Sequence, residues 1–424
     1  MDRKTEVFGR MNGNFHIDGF GLVSDPFSAK VSEGMIVFFD ETNHEICRSP
    51  LIKFTAQEGS TFSLFNVTIG NGFHWERKED QTFQGNLILQ LCEGKTITVI
   101  NLIPIEDYLK SVISSEMNPA APMEFLKTHA ILSRSWLLAG LGRKKKTEET
   151  SIPAEKITGG EVLRWYDREN HDLFDVCADD HCQRYQGITK IVWRQAEEAA
   201  RETLGMVITY QDEICDARYS KACGGLTEEF DTAWDNKRVP YLRSISDASI
   251  FHQPIKTEEE ARRWILSEPE AYCKTKDEGL IKKILPEFDR ETKNFFRWTV
   301  EYPREELEEI LLEKSGFDLG TLKEFVPLQR GSSGRISRLK IIGSKRSMIV
   351  GKELEIRRWL SRTHLYSSAF IVAGETNQFT FHGAGWGHGV GLCQIGAAVM
   401  GTQGFSAEKI LKHYFRGVKI KKIY

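Results

Sequence analysis

The sequence predicts an α+β protein, on three observations. Between about residues 15 and 105, short apolar stretches (GMIVFFD, TFSLFNVTIG, NLILQLCEG, TITVINLIPI) recur every ten residues or so, separated by Gly, Asn and Asp. The pattern then turns helical from Asn118 to about Gly142. From Gly331 it returns to Gly/Ser turns and alternating strands (ISRLKIIG, SMIVGKELEIRRWL, AFIVAG). Strands grouped together, with helices between the groups, are segregated rather than alternating elements, and that describes the α+β class.

Taken in order, residues 1–95 read as a β-rich N-terminal region. Residues 96–250 read as the first half of a mixed core, opening with one long helix. Asn118 suits its N-cap, Pro119 its first turn, and Gly140 and Gly142 its far end. The C-terminal half of that helix is apolar nearly all round, so it is expected to be buried. The basic stretch RKKKTEETSIPAEK after it reads as a solvated loop. Trp193 to Leu204 reads as an amphipathic helix leading into the strand MVITY. Residues 251–325 carry Glu, Lys and Arg at helical spacing and read as a helical insertion. Residues 326–424 complete the core and hold a Gly-rich motif.

A chain of 424 residues is long enough for two or three domains at roughly 150 residues each. Lys plus Arg number 57 against 60 Asp plus Glu, a net charge of -3, so nothing global drives it toward nucleic acid or an anionic membrane. Its apolar runs stop well short of the ~18 residues a membrane span needs. Eight cysteines are too sparse and irregular for a disulfide scaffold. The start, MDRKTEVFGRMNGNF, has no apolar h-region and is not a secretory signal peptide. The expectation is therefore a cytoplasmic protein or a mature form whose leader has been removed.

Four segments carry chemistry. In ISSEMNP, Glu116 stands just ahead of the long helix. A carboxyl sheltered from water favours its protonated form and suits general-acid work, whereas a helix N-terminus favours the carboxylate. A plain N-terminal helix acid is the alternative. In YSKACGGLTEEFDTAW, the Gly224–Gly225 pair permits a sharp turn or close approach to a ligand. Cys223 beside it is either a small buried residue or a nucleophile needing a His in reach. In FHGAGWGHGVGLCQIGA, six glycines accompany Trp386, His388 and Gln394. No Lys follows them, so this is not a phosphate loop; the aromatic could stack on a sugar or base, and His388 could be base, ligand or turn residue. The fourth is His171-x5-Cys177-x3-His181-Cys182. Two His and two Cys suit tetrahedral Zn²⁺, though not with finger spacing, and a closed four-ligand set would be structural.

Together these segments resemble the stage II sporulation protein D and amidase-enhancer family of bacterial peptidoglycan enzymes. The family's SEM-P segment and ARTYA-like helix read SSEMNP and LSRSWLLA here. Its STSGG-T segment reads KACGGLTEE with Trp234 downstream, its R-SGR turn RGSSGR at 330–335, and its last motif GAGWGHGVGLCQIGA. The order agrees, over roughly residues 95–250 and 325–416. The resemblance implies a lytic transglycosylase acting on peptide-stripped glycan strands, with Glu116 as acid and then base. It implies a groove lined by Trp386, His388 and Gln394, faced by Ser220, Gly224 and Gly225. It adds weight to a structural zinc at His171, Cys177, His181 and Cys182. A cell-envelope location follows if a leader was removed, with peptidoglycan strands as partner. The alternative is a non-catalytic wall-binding module that enhances an N-acetylmuramoyl-L-alanine amidase; a cysteine hydrolase using Cys223 or Cys393 with His388 is a third reading. Cys223 and Cys393 stand where the family carries hydroxyls. Arg134, the lone charge in an apolar stretch, is expected to have its own structural partner away from the site.

Overall fold

The computed structural model describes residues 3–73, 75–146, 153–166, 171–191, 193–292, 294–374 and 377–424. Part of the basic stretch expected as a loop, residues 147–152, lies outside the described residues. The fold is α+β and divides into two compact units, Met1–Pro119 with His171–Arg201, and Ala120–Asn170 with Glu202–Tyr424.

The first unit is built on nine antiparallel strands. They are β1 (Glu6–Ile17), β2 (Gly21–Ser32), β3 (Met35–Phe39), β4 (Glu45–Ser49), β5 (Leu51–Ala56), β6 (Thr61–Ile69), β7 (Arg77–Gln84), β8 (Asn86–Cys92) and β9 (Thr96–Leu102). The main order is β4-β3-β2-β1-β5-β8-β9, and β6 joins β1 to β7. Along β1, Val7, Met11, Phe15 and Ile17 point inward while their neighbours face solvent, the two-residue period of a half-buried strand. A bulge between Met11 and Phe15 lets one edge of β1 serve two partners, Gly9–Asn12 pairing with β6 and Phe15–Ile17 with β5. Phe38 and Phe54 meet at 4.9 Å and Phe62 and Phe83 at 5.3 Å, so aromatic rings fill the interior.

The apolar text before the SEM segment was expected to run on as strand to Ile105, and here the structure differs. The strand ends at Leu102, and Pro104 becomes the N-cap of helix α1 (Ile105–Glu116), its carbonyl accepting from Tyr108 N–H at 3.0 Å. Glu106 and Asp107 lie in the first turn, where the helix dipole favours them. The long helix also starts later than expected. Asn118 and Pro119 lie outside it, and α2 spans Met123–Lys146, opened by Leu126 N–H on Pro122 carbonyl at 3.0 Å. The second proline is the cause: Pro122 biases Ala121 away from helical geometry, so regular structure begins only beyond it.

In the second unit, α2 buries Phe125, Leu126, Ala130, Ile131 and Leu132, whereas Trp136, Leu138 and Leu141 in its expected buried C-terminal half are only partly buried. It packs on the strand Met206–Tyr210 and on helices Gln394–Thr402 and Ala407–Tyr414. Arg134 is fully buried and donates to Met206 carbonyl at 2.9 Å, a structural partner of its own. A five-stranded sheet runs Glu155–Thr158, Glu161–Arg164, Ser347–Gly351, Ile336–Gly343, Leu322–Arg330. Residues 251–325 hold the helices Glu258–Leu266, Glu278–Ile284 and Arg304–Ser315, but also a strand, Arg297–Pro303. Trp298, Val300 and Tyr302 fall every second residue there and pack into the apolar core, and the strand pairs with Gln378–Ala384. The text ELEIRRWL, expected as strand, is helix Glu353–Trp359, because Ile356, Trp359 and Leu360 are spaced for one helical face.

Candidate functional site

Glu116 is the last residue of α1, not the first acid of the next helix. Leu109, Val112, Ile113 and Glu116 fall three or four apart, so the carboxyl continues the buried apolar stripe and is only 6 % exposed. Backbone N–H of Arg184 donates to Glu116 Oε1 at 3.0 Å. The segment that supplies this donor is sewn to α1 and to β7. Gln186 N–H reaches Ser111 Oγ at 3.2 Å, and the Tyr185 ring stacks on Tyr108 at 5.1 Å. Ile188 N–H binds Thr82 carbonyl at 2.8 Å. Gly187 has φ +59°, and a Cβ there would lie 2.2 Å from Thr82 oxygen, so the close approach demands glycine. Arg184 itself bridges to Asp180 at 2.7 Å and lays its guanidinium over the Trp75 ring at 4.4 Å.

Two residues before Arg184 lies Cys182, and the four sequence-predicted ligands come together here. His171, Cys177, His181 and Cys182 place one donor atom each within 4.8 Å of all the others. His171 Nε2 is 3.3 Å from Cys182 Sγ, and His181 Nδ1 is 3.5 Å from Cys182 Sγ and 4.0 Å from Cys177 Sγ. Bonds of about 2.0 Å to nitrogen and 2.3 Å to sulfur in a tetrahedron require edges of about 3.3–3.8 Å, so the donor set fits a divalent ion. Hydrogen bonding from Cys182 and from both histidines, against burial, brings Cys177 down to about 2, favouring the thiolate a metal needs. Adjacent His181 and Cys182 both turn inward because Cys182 N–H closes a turn onto Asp179 carbonyl at 2.9 Å.

The second unit gathers the other motifs. Strand Tyr219–Ser220 pairs in parallel with Leu392–Cys393, and Ala222 and Trp386 exchange both backbone hydrogen bonds. At the centre is Arg335, the last residue of RGSSGR and fully buried. It donates Nε–H to Gly387 carbonyl at 3.0 Å and Nη1–H to Cys223 carbonyl at 3.1 Å and Ser333 Oγ at 2.8 Å. Ser333 in turn donates to Glu228 Oε2 at 2.7 Å. Burial pulls the guanidinium below its usual pKa against the opposing influence of Glu353 and Glu228. The glycines make room for it: a Cβ on Gly389, at φ +75°, would sit 2.4 Å from the Arg335 guanidinium carbon. Nothing in RGSSGR by itself shows that distant segments close around the side chain of Arg335.

Around this staple lie the residues expected to bind substrate. Ser220 is buried, and its hydroxyl makes no hydrogen bond to the protein. Gly224 and Gly225 adopt φ +82° and +105°. Trp386 is buried and meets Tyr366 edge-on at 6.1 Å. His388 Nδ1 accepts from Val390 N–H at 3.0 Å, and burial with Arg218, Arg335 and Arg357 nearby lowers its pKa well below the usual value. It is therefore a neutral imidazole. Gln394 is fully buried, its amide nitrogen 3.0 Å from His129 Nε2. Burial and Lys221 bring His129 down to about 3, so its neutral ring accepts that hydrogen bond. Burial pushes the Cys223 thiol well up, which disfavours the thiolate a cysteine hydrolase needs.

Residues 93–210 match the family model described as Stage II sporulation protein, and residues 228–391 match one described as a domain of unknown function. Stage II sporulation protein D of Bacillus amyloliquefaciens is 24 % identical over 321 residues, covering 75 % of this chain and 74 % of that protein. The amidase enhancer of Bacillus subtilis is 25 % identical over 335 residues, covering 74 % of this chain but 40 % of that protein. An uncharacterized protein of Brachyspira hyodysenteriae is 25 % identical over 332 residues, covering 77 % and 68 %. The chain therefore matches the stage II sporulation protein family model over residues 93–210 and is similar, over about three quarters of its length, to stage II sporulation protein D and the amidase enhancer.

Proposed function

We propose that this chain is a peptidoglycan lytic transglycosylase of the cell envelope. It cleaves the bond between N-acetylmuramic acid and N-acetylglucosamine in peptide-stripped glycan. The observation that carries the reading is the setting of Glu116: a buried carboxyl at a helix end, oriented through one oxygen by Arg184 N–H. In the first step the Glu116 acid protonates the bridging oxygen while C1 of N-acetylmuramic acid gains oxocarbenium character. The carboxylate so formed then takes the proton of that sugar's own 6-hydroxyl, whose oxygen closes on C1 as a 1,6-anhydro ring. The acid is regenerated, no water is consumed, and one carboxyl suffices where ordinary glycosidases use two. Ser220, Gly224, Gly225, Trp386, His388 and Gln394 are assigned to holding glycan, a role supported by the unsatisfied Ser220 hydroxyl. Among the described residues no helix is long and apolar enough to cross a membrane.

His171, Cys177, His181 and Cys182 would hold a structural zinc ion. When bound, the ion ties down the segment that ends in the Arg184 donor, and four protein donors leave no position for water. Metal-free protein, prepared with a strong chelator, is expected to melt lower and to cleave about 10-fold or more slowly, with the same product end. Thermal unfolding with product analysis checks this; an unchanged rate in the metal-free protein would remove the tie to Glu116.

The reaction itself is tested by mass spectrometry of peptide-free glycan strands incubated with the protein. Products ending in 1,6-anhydro-N-acetylmuramic acid are expected; reducing ends would mean hydrolysis and a water-activating group. The likeness to the amidase enhancer supports a second reading, a wall-binding module that stimulates an amidase. Intact glycan binding and amidase stimulation with no bond cleaved would select it.

A further inference from the structure

We propose that the chain holds a second, structural zinc-class ion in its second unit, bound by Cys223, Asp247, Cys273 and Cys393. One donor atom from each lies within 4.8 Å of every other, and none of the four residues is more than 2 % exposed. They come from four separate stretches: the Cys-Gly-Gly segment, the loop after the Leu226–Ser246 bridge, the short turn Tyr272–Lys274, and the strand Leu392–Cys393. Cys223 Sγ and Cys273 Sγ are 3.8 Å apart, which is the edge of a tetrahedron with thiolate bonds of about 2.3 Å.

The surroundings are those of ligands rather than of inert core thiols. Backbone N–H groups point at sulfur, Cys223 N–H to Cys393 Sγ at 3.3 Å and Gly225 N–H to Cys223 Sγ at 3.4 Å. Asp247 is oriented by Cys273 N–H on Oδ2 at 2.9 Å and by the Tyr414 hydroxyl on Oδ1 at 2.5 Å. Such outer contacts fix ligand direction at metal sites. Space for the carboxylate exists because residue 396 is glycine: a Cβ there would lie 2.2 Å from Asp247 Oδ1. Arg297 and Arg335 donate to the carbonyls of Gly224 and Cys223 at 3.0 and 3.1 Å, so two guanidinium groups border a set that is anionic once deprotonated.

Three sulfurs and one carboxylate select zinc over magnesium or calcium, and four protein donors make the centre structural. The two cysteines that replace hydroxyls in the motif resemblance thereby acquire one joint purpose. The ion would pin Cys273, within the stretch 251–325, to the Cys-Gly-Gly and Gly-rich segments. No step of glycan cleavage passes through it.

The test is metal stoichiometry of the full chain purified under reducing conditions. About two zinc ions per chain are expected, falling to about one in the Cys177→Ser/Cys182→Ser variant and to about one in Cys223→Ser/Cys393→Ser. The latter variant can fail to fold, so the first is also loaded with Co²⁺, where thiolate-to-cobalt charge-transfer absorption is expected from the remaining centre. A wild-type chain with one zinc or none overturns the proposal. So does a folded Cys177→Ser/Cys182→Ser variant that binds no metal, or a Cys223–Cys273 disulfide found by peptide mapping of the reduced preparation. All of these readouts are independent of glycan cleavage.

Discussion

Glu116→Gln is expected to slow glycan cleavage by about 10²–10⁴-fold, the range that one positioned acid–base group supplies. Glutamine keeps the shape of the side chain and an oxygen to accept Arg184 N–H, so the contact at 3.0 Å survives. What it loses is the proton given to the bridging oxygen and the carboxylate that takes the proton back. Stability is therefore expected to change by no more than about 1 kcal/mol, the worth of an ordinary hydrogen bond. Rates of product formation by mass spectrometry, with glycan binding and thermal unfolding measured on the same variant, check this. A loss below tenfold would remove Glu116 as the acid. A variant that unfolds would mark the carboxyl as a structural partner of the 184 backbone.

The largest stability effect is expected at Arg335. Arg335→Met should cost about 3–5 kcal/mol, because it removes a fully buried cation that donates to Ser333 Oγ and whose charge faces the buried Glu353 and Glu228. It also strips the Gly387 and Cys223 carbonyls of their donors. Arg335→Lys should recover only part of the loss, since an ammonium is a point charge and cannot serve several acceptors in one plane. Denaturant unfolding should show a lower midpoint at an unchanged slope. A change under about 1 kcal/mol would mean that the Gly-rich segment is held by its strand pairing alone.

Legibility in the sequence followed the range of the interaction. The alternation of Val7, Met11, Phe15 and Ile17 is a local pattern, and the β-rich first region it implied is present. The metal ligands His171, Cys177, His181 and Cys182 lie within twelve residues, so spacing alone could suggest their meeting. Helix α1 does carry local signals, acids after Pro104 and an apolar stripe ending in Glu116. They compete with the β-propensity of TITVINLIPI, which its proline ends. The expected start at Asn118 failed for a related reason, with the second proline, Pro122, outranking a good N-cap.

Residue order by itself was enough for the α+β class and for the grouping of the four metal-ligand residues. These rest on periodicity, composition and short spacing, which a chain displays before it folds. Tertiary structure alone decided which backbone group orients Glu116 and why the glycines of the last motif are required around Arg335. It also decided that Cys223, Asp247, Cys273 and Cys393 share one buried point. Each depends on segments 50 or more residues apart being brought to within a hydrogen bond, as with Glu116 and Arg184 or Cys223 and Cys393. Such approaches are set by packing of whole elements, and no local pattern records them.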